Sequence, residues 1–371
     1  MPFRLPGSRI NWVTSSFLIG TAATTLTAVP WYIWTFGLDW FQVAMFFAFF
    51  IATGLSITLG YHRLFAHFAF QAKWPVRLFT LLFGAAAFEN SALDWASDHR
   101  RHHKHVDHDD DPYDISKGFW YAHIGWLLFK LSAERPRDNI ADLRKDRLAV
   151  LQERFYVPIA LMVGFVLPTL LGWWHGGGAG ALGGFLIAGV ARVTAVQHMT
   201  FFINSLCHTV GNRPYSSRCS ARDSWLMAVF TFGEGYHNYH HEFQHDYRNG
   251  VKWWQWDPTK WTIWTLEKIG LVRGLRRVSE DKILLAQLAE ARRRLDARLE
   301  CPARPLEERM HEMLRHAQAR LDEVSAQWKQ LKADSASRAD VYLDQATATL
   351  AEMREELRLT LALLDRVGAP A

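Results

Sequence analysis

The chain alternates between long, nearly uncharged apolar runs and segments crowded with charge. Four runs, residues 12–35, 39–60, 155–174 and 181–204, each supply the ~20 residues that a helix needs to cross about 30 Å of hydrocarbon. Only Phe36-Gly37-Leu38 joins the first pair and only His175 to Gly180 joins the second, so the pattern predicts two membrane hairpins. The first run is not read as a signal peptide, because it is too long and a second span follows at once. A fifth run, Trp74–Phe88, is shorter and ends in Glu89-Asn90, which predicts a buried or interfacial helix.

Beyond residue 278 the pattern changes to one dense in Arg, Glu and Leu. Leu306, Met310, Met313, Ala317, Leu321, Val324, Trp328 and Leu331 follow helical spacing, as do Leu343, Ala346, Leu350, Met353 and Leu357. Pro302 and Pro305 set these apart from an earlier helix near 280–300, and Lys332–Ser337 makes a second break. The expectation is a membrane domain over 1–278 and a C-terminal amphipathic, coiled-coil-like extension over 279–371. Docking and plain stabilisation both remain open as its role.

Charge orients this scaffold. Neither short loop carries Lys or Arg, whereas Arg4, Arg9, the segment 62–154 and the chain beyond 208 are rich in them. The positive-inside rule then puts both termini and both long polar segments in the cytoplasm, in a multi-pass protein of the inner, cytoplasmic membrane. The formal charge of +5 suits an anionic membrane face. Nucleic acid is not an expected partner, since the bases scatter among acids with no recognition motif. Cys207, Cys219 and Cys301 show no paired spacing, which argues against a disulfide framework or a thiolate zinc site.

The chemistry lies in histidine. His62-Arg-Leu-Phe-Ala-His67 follows the second run, and His99-Arg-Arg-His-His103 lies in the first polar segment. Asn204-Ser-Leu-Cys-His208 and Gly235-Tyr-His-Asn-Tyr-His-His241 follow the fourth run. Residues three and four apart share a helix face, so His99 presents with His102 and His103, and His237 with His240 and His241. Neutral imidazole suits iron, copper, nickel or zinc, and nine imidazoles suffice for two ions. Asp94, Asp98, Asp107 and Glu234 are candidate partners that orient the rings. His105, His108, His123, His175, His198, His245, His311 and His316 are not assigned to the metal set.

With these boxes in order, together with Asp111-Pro112, Gly118–Trp126 and Arg213-Pro214-Tyr215, the chain resembles the integral-membrane fatty acyl desaturases, specifically the stearoyl-CoA (Δ9) family, over about residues 10–278. The resemblance implies an all-α integral membrane protein: four transmembrane helices in two hairpins, a cytoplasmic helical cap holding a di-iron site, and the helical tail beyond. It implies two irons held by His62, His67, His99, His102, His103, His208, His237, His240 and His241, with Asn204 reaching one iron through a water. It also implies O2-dependent removal of hydrogens from C9 and C10 of a saturated acyl chain, leaving a cis double bond.

In the family the acyl tunnel bends at the metals. Trp95 and Thr200 match residues at that bend, Glu89 stands where the family often has glutamine, and Phe50 and Gly54 match its closed far end. Asn90, Asp98 and Asn11 match positions near the coenzyme A moiety. Ser97 replaces a phosphate-contacting arginine of animal relatives, which leaves acyl-phospholipid and acyl-carrier-protein substrates as alternatives to acyl-CoA. Lys104, Arg144, Lys145 and Arg147 are read as solvated charges rather than phosphate ligands. The tail has no haem or iron–sulfur signature, so a separate reductase, ferredoxin or cytochrome system is the expected electron donor. A di-iron hydroxylase and an inert lipid- or metal-binding protein are the competing readings.

Overall fold

The computed structural model describes residues 9–130 and 136–299, with a few positions beyond. They form two compact units. One contains residues up to Asn212 together with Cys219–Arg277, and the other contains Arg213–Arg218 together with the chain from Val278.

Among the described residues the first unit is mostly helical, with one two-stranded antiparallel ribbon, Gln71–Ala72 (β1) against Val272–Arg273 (β2). Three helices among the described residues are long and apolar enough to cross a membrane: Trp12–Phe36 (α1), Trp40–Ala66 (α2) and a segment over Tyr156–His208. Only 17%, 50% and 22% of their most apolar windows are buried, so their outward faces, with Val13, Leu26, Phe47, Val157 and Leu170, are left for lipid.

At ~1.5 Å per residue, Tyr156–His208 would measure about 80 Å if straight, far more than one bilayer crossing. It is not straight. Gly176 and Gly177 leave helical geometry, and Gly177 takes φ +57, a conformation that costs glycine little. The two arms fold back so closely that a Cβ on Gly172 would run into the Gly180 carbonyl, and one on Gly184 into that of Pro168. The reversal falls inside the expected loop at 175–180.

At the same end, α2 begins at an Asp39 capping box. Gln42 N–H donates to Asp39 Oδ1 at 2.8 Å, and the Gln42 side chain accepts from the Asp39 amide. Such a cap contributes about 1 kcal/mol. Gln42 Nε2 donates to Tyr32 Oη at 2.5 Å and Tyr32 Oη donates to the Ala179 carbonyl at 2.8 Å, so one polar chain ties α1, α2 and the glycine turn together.

The shorter helices of the first unit include Trp74–Ala85 (α3), Ala92–His105 (α4), Arg147–Arg154 (α5), Trp225–Phe230 (α6), His237–Glu242 (α7) and Pro258–Lys268 (α8). Ser91 caps α4, Asp146 caps α5 and Asp257 caps α8 ahead of Pro258. The apolar run at Trp74 forms α3 and stops at Ala85, three residues short of the expectation. The second run carries helix further than expected. The last part of α2, Ser56–Ala66, is a π-helix with His67 at its C-cap, so the first histidine pair grows directly out of the end of this apolar helix.

In the second unit Glu280–Leu299 forms a helix, as the spacing predicts. Its buried Glu290 receives the Ser217 amide at 2.8 Å and Arg294 Nε at 3.0 Å. The two later amphipathic patterns, from Leu306 to Leu331 and from Leu343 to Leu357, lie outside the described residues.

Candidate metal centre

His62 and His67 are five residues apart, a separation that a regular α-helix places on different faces. The π-turn resolves this. The His67 amide donates to the His62 carbonyl at 3.0 Å, an i→i+5 bond that aims both rings the same way. Helices α4 and α7 bring the remaining rings alongside, and the turn at Leu206–His208 delivers His208.

The nine rings sort into two groups whose ligand atoms lie within 4.8 Å of one another: His62, His67, His99, His103 and His240, and His102, His208, His237 and His241. Spacing along each helix decides the split. Partners four apart, His99 with His103 and His237 with His241, stay together, while His102 and His240, three from the first ring, cross to the other group.

Within the first group the Nε2–Nε2 separations are 3.0 Å for His62–His240, 2.7 Å for His67–His99 and 2.9 Å for His103–His240. Within the second they are 3.3 Å for His102–His241, 3.1 Å for His208–His237 and 3.1 Å for His237–His241. Two nitrogens bound to one ion at about 2.1 Å and 90° stand about 3.0 Å apart. A neutral ring has a single N–H, so a five-membered gathering of Nε2 atoms cannot satisfy itself by hydrogen bonding. A cation at its centre meets every lone pair at once, and the donor set therefore fits metal.

The outward Nδ1 atoms show how the rings are held. His102 Nδ1 lies 2.9 Å from both oxygens of Asp111, His62 Nδ1 2.9 Å from Glu234, His208 Nδ1 2.7 Å from Ser220 Oγ and His99 Nδ1 3.3 Å from Tyr113 Oη. Orienting carboxylates of this kind fix the tautomer that leaves Nε2 free for the ion. Burial, joined by neighbouring imidazoles, pushes His67, His99, His103, His237, His240 and His241 well below ordinary histidine values, which keeps these rings neutral.

Of the four expected acid partners, Glu234 reaches a ring directly. Asp107 binds Ser220, which in turn binds His208. Asp94 instead pairs with Ser91 and with Arg137 at 2.8 Å, because its place in the first turn of α4 turns it toward the helix cap. Asp98 lines the neighbouring cavity. Asp111, which pairs with His102, was not among the four. Its signal was the Asp-Pro at the end of the acidic run after the second box.

Burial alone would raise the Asp111 carboxyl, but His102 and the Tyr113 amide outweigh it and hold the group below the usual carboxylate range. Asp111→Asn is expected to weaken metal retention and activity about 10- to 100-fold, measured as metal content and turnover of the purified protein.

A cavity of about 560 Å³ opens beside the two groups. His62, His99, His102 and His237 line it, and so do Asn204, Asn11, Glu89, Asn90, Trp95, Asp98 and Thr200. Trp95 stacks on His99 with centroids 4.8 Å apart. Glu89 joins the opposite walls, accepting from Thr200 Oγ1 at 2.8 Å and from Trp95 Nε1 at 3.3 Å. Burial, opposed by those two hydrogen bonds, lifts its carboxyl to about 8. The backbone beside it is strained, with φ +58 at Phe88 and +73 at Asn90. Gln197 Nε2 and the buried Arg192 secure it through the carbonyls of Ala86, Ala87 and Phe88.

A narrow pocket lined by Gly54, Ile57, Thr58, Thr200, Ile203 and Phe232 adjoins the cavity, with which it shares Ile57, Thr58, Thr200 and Ile203. Gly54 lies directly under the Phe232 ring, and Phe50 packs on that ring with centroids 5.6 Å apart. Phe232, whose φ is +54, carries no sequence signal beyond its place ahead of Gly233.

Ser97 Oγ is engaged by Asn139 Oδ1 at 2.7 Å, and Lys104, Arg144, Lys145 and Arg147 are exposed outside the cavity lining. His123 and His198 pair with each other at 3.1 Å, and His245 Nδ1 lies 2.8 Å from the His67 carbonyl.

A bundle of apolar helices that gathers nine histidines beside a cavity of about 560 Å³ defines a membrane-associated metal enzyme fold. The profile of the family described as fatty acid desaturase matches residues 38–271. The chain is 39% identical over 295 residues to acyl-CoA desaturase 1 of Saccharomyces cerevisiae, covering 77% of this chain and 56% of that protein. It is 35% identical to the sn-1 stearoyl-lipid 9-desaturase of Anabaena variabilis, covering 72% and 94%, and 34% identical to the stearoyl-CoA desaturase of Homo sapiens, covering 74% and 76%. This chain belongs to the fatty acid desaturase family. It spans little more than half the length of the Saccharomyces relative.

Proposed function

We propose that the chain is an O2-dependent fatty acyl desaturase that places a cis double bond between C9 and C10 of a saturated acyl-CoA. One observation carries the reading: His62, His99, His102 and His237 belong to the two nitrogen groups and also line the cavity, so a bound acyl chain passes both groups. The nine histidines, with Asn204 beside them, would hold two irons, and these would supply the O2-derived oxidant that an unactivated methylene pair requires.

The chain's own residues position the substrate. Trp95, Glu89 and Thr200 form the bend, Gly54, Phe50 and Phe232 close the far end, and Asn11, Asn90 and Asp98 offer polar partners to the carrier. Positioning one methylene pair beside the oxidant is the main task left to the protein. We read the two arms of Tyr156–His208 as separate crossings, which gives four spans in two hairpins with the histidines and both termini cytoplasmic. We read residues 279–371 as a separate domain and assign electron supply to a separate donor protein.

Coenzyme A is the preferred carrier because the Saccharomyces and human relatives are acyl-CoA and stearoyl-CoA desaturases. A lipid-linked acyl chain is the second reading, favoured by the Anabaena relative, 94% of which the chain covers.

Expression in cells lacking their own Δ9 desaturase, followed by gas chromatography of fatty acid methyl esters, tests the activity, and defined acyl carriers fed to purified protein decide the substrate. Absence of a new monoene from every carrier overturns the proposal, and a hydroxylated product replaces it with a hydroxylase. Gly54→Phe is expected to cut the use of the longest accepted acyl chain at least about 10-fold in favour of shorter ones, the scale on which a pocket discriminates single methylenes. An unchanged product profile would remove Gly54 from the tunnel.

A further inference from the structure

We propose that the tryptophan-rich surface over Trp253–Ile269 sits in the headgroup layer of the host bilayer and anchors the histidine-bearing cap to an anionic lipid face. Helix α8 is amphipathic in an unusual sense. Thr259, Lys260 and Ile263 point inward and are buried, while the outward side carries Trp261, Trp264 and, just past its end, Ile269. A water-facing side would be charged. Trp253 and Trp254, in the loop before it, are 81% and 60% exposed, far more than such large rings tolerate without a partner surface.

The depth of this surface argues for lipid. Thr259 Oγ1 bonds Thr58 Oγ1 at 2.7 Å, which pins the start of α8 to α2. From Trp40 to Thr58 that helix climbs about 27 Å at ~1.5 Å per residue, close to the ~30 Å hydrocarbon thickness. Exposed Trp31, Trp34, Trp40, Trp173 and Trp174 mark the other end. The two aromatic sets therefore stand one bilayer thickness apart, as interfacial belts do.

The cations agree. Lys252 lies over Trp254 at 5.2 Å and Lys268 over Trp264 at 5.4 Å, with exposed Arg273, Arg276 and Arg277 following. Asp257, the acid at the start of the helix, is buried against Arg63. An aromatic face fringed by Lys and Arg matches an anionic headgroup surface.

The inference rests on α2 crossing the bilayer, and its test does not use desaturation as a readout. Full-length protein is placed in nanodiscs of phosphatidylcholine, with or without phosphatidylglycerol, that contain a lipid with a photoactivatable headgroup. Labelled peptides are then mapped by mass spectrometry. Peptides from 253–269 are expected to be labelled at least 5-fold more than those carrying the exposed Asp109 and Asp110, and phosphatidylglycerol is expected to raise their labelling further.

The Trp261→Ser/Trp264→Ser variant should lose most of that labelling while binding as much metal as the parent. Lys268→Glu/Arg276→Glu, which leaves the rings intact, should lose only the phosphatidylglycerol increment. Labelling of 253–269 no higher than that of the Asp109 peptide in both compositions, the pattern of a surface that takes a protein instead, would overturn the proposal. No response to phosphatidylglycerol would overturn its anionic part.

Discussion

His103→Ala is expected to abolish monoene formation and to bring metal content from two ions per chain toward one. His103 Nε2 stands 2.9 Å from His240 Nε2 in the five-membered group, and its ring packs within 4.3–4.7 Å of His67, His99, His240 and His241. The other rings cannot close the gap, because their helices are packed and Glu234 and Tyr113 hold His62 and His99 in place. Loss of an outer partner alone costs about 10- to 100-fold, so loss of a ligand should exceed about 100-fold. Metal analysis and fatty acid profiling check both parts, with exposed Lys104→Ala as the neighbour that should change neither.

Acid acts on the same site in a defined direction. Rings held well below ordinary histidine values bind fewer protons when folded than when unfolded. The stability they lend the metal-free protein is therefore full above about pH 6.5 and is lost as the pH falls below it. Melting temperatures of chelator-treated protein should fall between pH 7 and pH 5. A flat profile would contradict the burial of neutral rings.

The second large effect is on stability. Arg63 is buried between two acids, with Nη2 at 2.8 Å from Glu234 Oε1 and 3.0 Å from Asp257 Oδ1, and Nη1 donating to the Tyr247 carbonyl at 2.8 Å. Both carboxylates have further duties. Glu234 accepts from Asn249 Nδ2 at 2.6 Å while standing against His62, and Asp257 caps α8. Arg63→Met strands two buried carboxylates, and breaking such a group costs about 3–5 kcal/mol.

A lower unfolding midpoint and reduced metal content are expected together, since the Glu234 that loses its cation also orients His62. Arg63→Lys should rescue only partly, because an ammonium cannot serve two carboxylates in fork geometry. Adding Glu234→Gln to Arg63→Met should recover part of the stability by removing one uncompensated charge. Unchanged stability in Arg63→Met would mean that the cluster carries no net weight.

Much of this molecule was legible beforehand for identifiable reasons. Spans advertise themselves through apolar length, and the fold-back at Gly176-Gly177 lies in the loop that the pattern placed at 175–180. Histidines three and four apart on α4 and α7 were readable because helix periodicity is local. Residues 62 and 67 were readable only as a motif, because the π-turn that aligns them departs from regular helix geometry. Phe232 could not be found at all, since its role depends on which glycine of α2 it meets.

The sequence by itself determined which segments are apolar enough for lipid, which histidines could act together, and the family to which the chain belongs. These follow from composition and short-range spacing. Tertiary structure alone decided which helix rings join His62, His67 and His208 in each group, which of the candidate acids stand behind them, that Asp111 joins Glu234 there, that Arg63 holds Glu234, and that Phe232 meets Gly54. Each of those outcomes depends on side chains from elements distant in sequence meeting within a few ångströms, and no local pattern encodes such a meeting.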